Sequence, residues 1–123
     1  FFADNWDGDG EVNTTKDGFE VRRPGAFTTA RFYCRHAMEV SKGLLPIPEE
    51  RAAKHPFVAA VTEPTMATTL VTAFGVGATG TPPAEISFAS DDDVIRVSIK
   101  TTKGTATCRI TDGGLVPVIQ VML

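Results

Sequence analysis

From Ile86 to Ile110, apolar and polar residues alternate almost one by one, and that pattern restricts the segment to strands with one wet face. Ile86 and Phe88 alternate with polar neighbours. Ile95, Val97 and Ile99 alternate with Arg96, Ser98 and Lys100, and Ala106, Cys108 and Ile110 alternate with Thr107, Arg109 and Thr111. A side-chain period of two belongs to a pleated strand packed on one side. Ser90-Asp91-Asp92-Asp93, Thr102-Lys103-Gly104 and Asp112-Gly113-Gly114 separate these runs and read as hairpin-type connections. The closing run Leu115 to Leu123 is almost wholly apolar, and Pro117 places its early part at an edge or a bulge. The pattern predicts a four-stranded antiparallel meander over 84–89, 94–101, 105–111 and 115–122. Its inward set is Ile86, Phe88, Ile95, Val97, Ile99, Ala106, Cys108 and Ile110.

Upstream, the spacing changes. Phe27, Ala30, Cys34, Ala37, Met38 and Val40 recur at mostly three- and four-residue steps, with Gly43 where a helix C-cap belongs. This predicts a main helix over 26–42. Pro48, followed by Glu49-Glu50 and closed by Lys54-His55 before Pro56, predicts a short second helix. Phe57 to Val61 reads as a buried strand cut by Pro64, and Met66 to Phe74 as either a helix or a Thr-rich strand. Residues 1–25 read as an irregular arm holding a short strand, Phe19-Glu20-Val21-Arg22, and stopped by Pro24-Gly25. The fold expectation is α+β: one helix packed on the meander, with an irregular N-terminal arm. One domain spans 1–123, divided into the arm (1–25), a helical and mixed region (26–83) and the meander (84–123).

Composition narrows the function classes. Hydrophobic content of 42% with 22% charged residues is globular rather than disordered. A net charge of -3 argues against a nucleic-acid partner, which would need a basic face. Arg22, Arg23, Arg31 and Arg35 are read as solvated charges. No apolar run approaches the roughly 20 residues of a membrane span. The sequence opens on Phe1-Phe2 rather than Met, so a cut precursor or a fragment is expected. Cys34 and Cys108 have two readings, one disulfide in an oxidising compartment or two buried thiols. The doubled threonines and the sequon Asn13-Thr14-Thr15 lean toward an extracellular, cell-surface or virion setting.

The run Asn5-Trp6-Asp7-Gly8-Asp9-Gly10-Glu11-Val12-Asn13 places oxygen side chains at alternate positions around two glycines. Calcium takes six to eight oxygen ligands, and a tight glycine turn lets alternate side chains converge on it. With Asn5 as loop position 1, Asp7, Asp9, Glu11 and Asn13 fall at positions 3, 5, 7 and 9. The stretch resembles the first loop of a dockerin or an EF-hand, and the resemblance implies calcium held by Asn5, Asp7, Asp9, Glu11 and Asn13. Lys16 stands where the bidentate carboxylate of position 12 belongs. The competing reading is a solvated acidic turn.

No pattern marks a catalytic centre. Cys34 and His36 diverge by roughly 200° on a helix and do not face one site. Gly75-Val76-Gly77-Ala78-Thr79-Gly80 lacks the lysine of a phosphate loop and is followed by Pro82-Pro83, so it is rejected as one. Asp91-Asp92-Asp93 is read as a hairpin turn. The apolar ends remain: Phe1 and Phe2 at the start, and Val118, Val121 and Leu123 at the finish. An apolar strand at a chain end needs a cover, and a neighbouring copy is an economical one. One helix followed by an antiparallel meander is also similar in topology to the head domain of type IV pilins, which implies a filament subunit. The sequence therefore predicts a non-enzymatic assembly subunit whose partners are copies of itself. The alternative is a calcium-dependent binding module using the loop at 5–13.

Overall fold

The structure is a computed structural model, and it describes residues 1, 8–45, 55–112 and 118–122. The described residues are 68% strand and 0% helix, so the fold is all-β and the α+β expectation is corrected. The strands are β1 (Glu11–Thr15), β2 (Gly18–Arg23), β3 (Ala26–Tyr33), β4 (Met38–Leu44), β5 (Pro56–Thr62), β6 (Val71–Ala78), β7 (Glu85–Asp91), β8 (Val94–Thr101), β9 (Gly104–Thr111) and β10 (Val118–Met122). They form three antiparallel sheets: β1-β2-β3-β6, the meander β10-β9-β8-β7, and the hairpin β4-β5.

The expected main helix at 26–42 is two strands, β3 and β4, joined through Cys34–Ala37. Phe27, Thr28, Thr29, Phe32 and Tyr33 are β-branched or aromatic and favour extended backbone. The alternation that would have revealed β3 is missing because β3 is covered on both sides. Ala30 and Phe32 face one core, while Thr29 is buried and Tyr33 packs on the other. A strand buried on both faces loses its period of two in hydropathy. Gly43 is no helix cap. It lies inside β4, where a Cβ would come 2.5 Å from the ring of Phe57. The irregular arm is corrected as well, since β1 and β2 form a hairpin turning at Lys16-Asp17. The topological likeness to pilin head domains falls with the helix that carried it. Most of the expected helix at 48–55 lies outside the described residues.

Two cores share the first sheet. One gathers Val12, Phe19, Ala30, Phe32 and Val58, with Met38, Val40 and Ala60 of the β4-β5 hairpin packed against it. Phe19 is fully buried at its centre, 5.7 Å from the ring of Phe32 and 6.2 Å from that of Phe74. The second core joins Val71 and Ala73 of β6 to Ile95, Val97 and Ile110 of the meander. Tyr33 closes it by stacking on Phe88 at 5.4 Å. Gly75 permits this union: a Cβ there would sit 2.5 Å from that of Ala84, just ahead of β7.

The meander is present with β7 shifted to Glu85–Asp91 and β9 opening at Gly104, and only 118–122 of its last expected strand lies among the described residues. Glu85 stands opposite Lys100, Val97 opposite Cys108 and Ile119 opposite Ile110. Of its expected inward set, Ile95, Val97 and Ile110 are buried, while Ile86, Phe88, Ile99, Ala106 and Cys108 are partly buried. Truncating Phe19 to Ala removes the centre of the first core, and urea denaturation should show a loss of about 3–5 kcal/mol. Val97→Asp places an unpaired carboxylate in the second core. Its melt should show a loss of several kcal/mol, whereas equal stability would overturn the register of β8.

Candidate functional site: two bare strand edges and an apolar cleft

A sheet that ends in an unpaired strand offers a row of free N–H and C=O groups, and folded proteins usually blunt such edges with charge, proline or a cover. Among the described residues, most edges here are blunted. β1 carries Glu11, β4 carries Glu39 and Lys42, and β7 carries Glu85 and Asp91. β5 opens on Pro56, and its outward edge is occupied at Val58. There the Val58 N–H donates to the Phe1 carbonyl at 2.9 Å, and the Phe1 nitrogen donates back to the Val58 carbonyl at 3.1 Å.

Two edges among the described residues have neither charge nor proline. One is β6, Val-Thr-Ala-Phe-Gly-Val-Gly-Ala, at the rim of the first sheet. The other is β10, Val-Ile-Gln-Val-Met, at the rim of the meander. Which of their backbone groups turn outward follows from antiparallel geometry, in which alternate residues bond inward. The Thr79 N–H donates to the Gly25 carbonyl, so odd-numbered residues of β6 bond to β3, and Thr72, Phe74 and Val76 point their groups outward. The Asp112 N–H donates to the Asp93 carbonyl, so even-numbered residues of β9 bond to β8 and odd ones to β10. That leaves Ile119 and Val121 with outward groups.

The side chains beside these edges are apolar and uncovered. Val118, Ile119, Val121 and Met122 are 58%, 63%, 63% and 55% exposed. On β6, Phe74 is 47% and Val76 78% exposed. On the inner face of the meander Ile95, Val97 and Ile110 are buried, while Ile99 and Cys108 are partly covered and Ile119 is exposed. The result is an apolar cleft of about 570 Å³ between Leu70–Phe74 and the row Val97, Ile99, Cys108, Ile110 and Ile119. A hydrogen bond from the Thr69 hydroxyl to the Asp112 carboxylate ties one end of it. On the opposite face of β6, a second hollow of about 570 Å³ is lined by Phe1, Phe57, Ala59, Leu70, Thr72 and Phe74 among others.

The residues singled out from the sequence distribute as follows. Val118 and Val121 stand on β10. Phe1 stacks on Phe19 at 4.5 Å and so packs on its own chain's core, while Phe2 and Leu123 lie outside the described residues. Of the calcium-loop set, Asn5 and Asp7 lie outside the described residues. Glu11 and Asn13 project from one face of β1, where the Asn13 amide donates to the Glu11 carboxylate at 2.9 Å. Asp9 lies just ahead of β1. No group of three or more His, Cys, Asp or Glu side chains converges among the described residues.

Cys34 and Cys108 are free thiols. Cys34 lies 3.1 Å from the Thr68 hydroxyl, and Cys108 borders the cleft. His36 faces Glu63 at 3.5 Å, Arg31 faces Asp17 at 3.8 Å, and Arg22 pairs with Glu20 at 3.1 Å. The β6 edge is weakly written in the sequence, because Met66 to Phe74 reads equally as a helix or a Thr-rich strand and Gly75 and Gly77, which continue β6, resemble a loop. Its signal was Val71 to Phe74 continuing the β-favouring run without a charge.

Comparison with protein-family models, with curated proteins and with solved structures finds no match. No helix among the described residues is long and apolar enough to cross a membrane. The open cleft should bind an anionic hydrophobic dye such as anilinonaphthalene sulfonate under native conditions. Ile119→Asp, which sets a carboxylate on the cleft's rim, should lower that fluorescence several-fold while the far-UV spectrum stays that of the parent.

Proposed function

We propose that this chain is a non-enzymatic assembly subunit that associates with copies of itself through the uncovered apolar strand β10 and the cleft beside it. The observation that carries the reading is the exposure of β10. Four of its five residues are large and apolar, and each is more than half exposed. Singly scattered apolar residues on a surface need no explanation, but a contiguous apolar strand at a bare sheet edge does. A subunit interface is the economical cover, because it satisfies the free backbone groups and removes the side chains from water together. A setting outside the cytoplasm, on a cell surface or in a virion, goes with this reading. Its support is the sequon asparagine, Asn13, which is exposed on β1.

Sedimentation velocity across a concentration series should show growth in mass from the low micromolar range upward, unchanged by a chelator. Burying Ile119 and Val121 contributes about 1.5–3 kcal/mol each. The double variant Ile119→Asp, Val121→Asp should therefore weaken association by roughly 100-fold or more. A parent that stays monomeric at millimolar concentration would remove the proposal. A monomer whose melting temperature shifts with calcium would favour a binding module built on the acidic turn instead.

A further inference from the structure

Resting on that assembly reading, the geometry points to a specific and directional contact: β10 of one copy adds as a fifth strand to the β6 edge of the next. Strand addition needs an acceptor with outward backbone groups and pockets for alternate side chains of the donor. β6 provides both. Thr72, Phe74 and Val76 turn their N–H and C=O groups outward, and apolar hollows flank the strand on its two faces. A strand laid along β6 would send alternate side chains to opposite faces, toward the cleft over Val97 and Ile110 and toward the hollow beside Phe57 and Ala59. Such a donor must be apolar on both of its faces.

β10 meets that requirement. Ile119 and Val121 project from one face and Val118 and Met122 from the other, all four exposed, with Gln120 as the single polar side chain. Its outward backbone groups, at Ile119 and Val121, meet no strand among the described residues. Neither strand carries a charge, so the pairing buries none and meets no like-charge repulsion. The other described edges are excluded by their acids and lysine, by Pro56 or by Phe1 on Val58. Pairing β10 with β10 would leave β6 and both hollows bare, and pairing β6 with β6 would leave β10 bare. The β10-to-β6 contact covers all of them with one interface. Because donor and acceptor are different surfaces of the same chain, the contact is heterologous and repeats head to tail, giving an open filament or a closed ring.

Two edge-blocked variants test the direction of pairing. Thr72→Pro deletes an outward N–H of β6, and Val121→Pro deletes one of β10, each without removing a bond to the strand's existing neighbour. Each variant is first checked for the parent's far-UV spectrum and melting temperature. Val76→Lys and Val121→Lys, at exposed side chains, replace any proline variant that fails this check. Light scattering after size exclusion should find each variant alone monomeric, at concentrations where the parent assembles. Mixed one to one, they should form a heterodimer that grows no further, since only one productive edge pair remains. Self-association of the β6-blocked variant alone would show β10–β10 pairing and overturn the inference, as would self-association of the β10-blocked variant alone or a mixture that stays monomeric. A parent that does not assemble at all would instead overturn the assembly reading, so the two failures are distinct.

Discussion

Strand β6 is the constraint on which the rest of the structure depends. It ends the first sheet, yet each of its faces belongs to a different neighbour. Phe74 reaches the aromatic cluster around Phe19, while Val71 and Ala73 lie in the core shared with the meander. Alternation along an extended backbone makes this possible, because successive side chains leave a strand in opposite directions. The glycines permit the approach. With Gly75 in place, the chain passes close to Ala84 and can turn from the first sheet into the second over a short connection. A side chain at that point would hold the two layers apart and open the second core to water.

The same position leaves β6 with a bare edge. Beside that edge lies the cleft, where the partly covered Ile99 and Cys108 and the exposed Ile119 face β6. The apolar edge of β6 and the inner-face side chains of β10 border this one cleft, while Val118 and Met122 add apolar surface on the other face of β10. A single extended segment from outside could satisfy both the hydrogen-bonding deficit of β6 and the uncovered side chains of the meander. Isolated apolar edges are a liability in a monomer and a means of recognition in an assembly, and the difference lies in whether a partner strand is supplied.

The meander was legible because each of its inner strands is wet on one side. Arg96, Ser98 and Lys100 face water while Ile95 and Val97 face the core, so the chemistry of neighbours in sequence reports the geometry directly. The first sheet gave no such signal. β3 runs through the middle of two cores, and its small or aromatic residues at three- and four-residue steps imitate a helical stripe. β1 and β2 were hidden by the acidic residues and glycines around them, although Val12, Phe19 and Val21 alternate correctly once the hairpin at Lys16-Asp17 is drawn. In the candidate site, the uninterrupted hydrophobicity of 115–123 announces β10, while β6 is silent, because glycine in a strand and glycine in a loop look alike in one dimension.

Local pattern by itself determined the meander, the inward faces of its strands and the apolar character of the C-terminal strand, because hairpins join strands that are neighbours in sequence and hydropathy sorts their faces. Only tertiary structure decided that 26–44 is two strands, that β6 pairs with the sequence-distant β3, and that a cleft opens beside it. Those outcomes rest on contacts between residues far apart in sequence, such as Tyr33 with Phe88 and Phe19 with Phe74. A strand covered on both sides is specified by what covers it, and no window along the chain contains that partner.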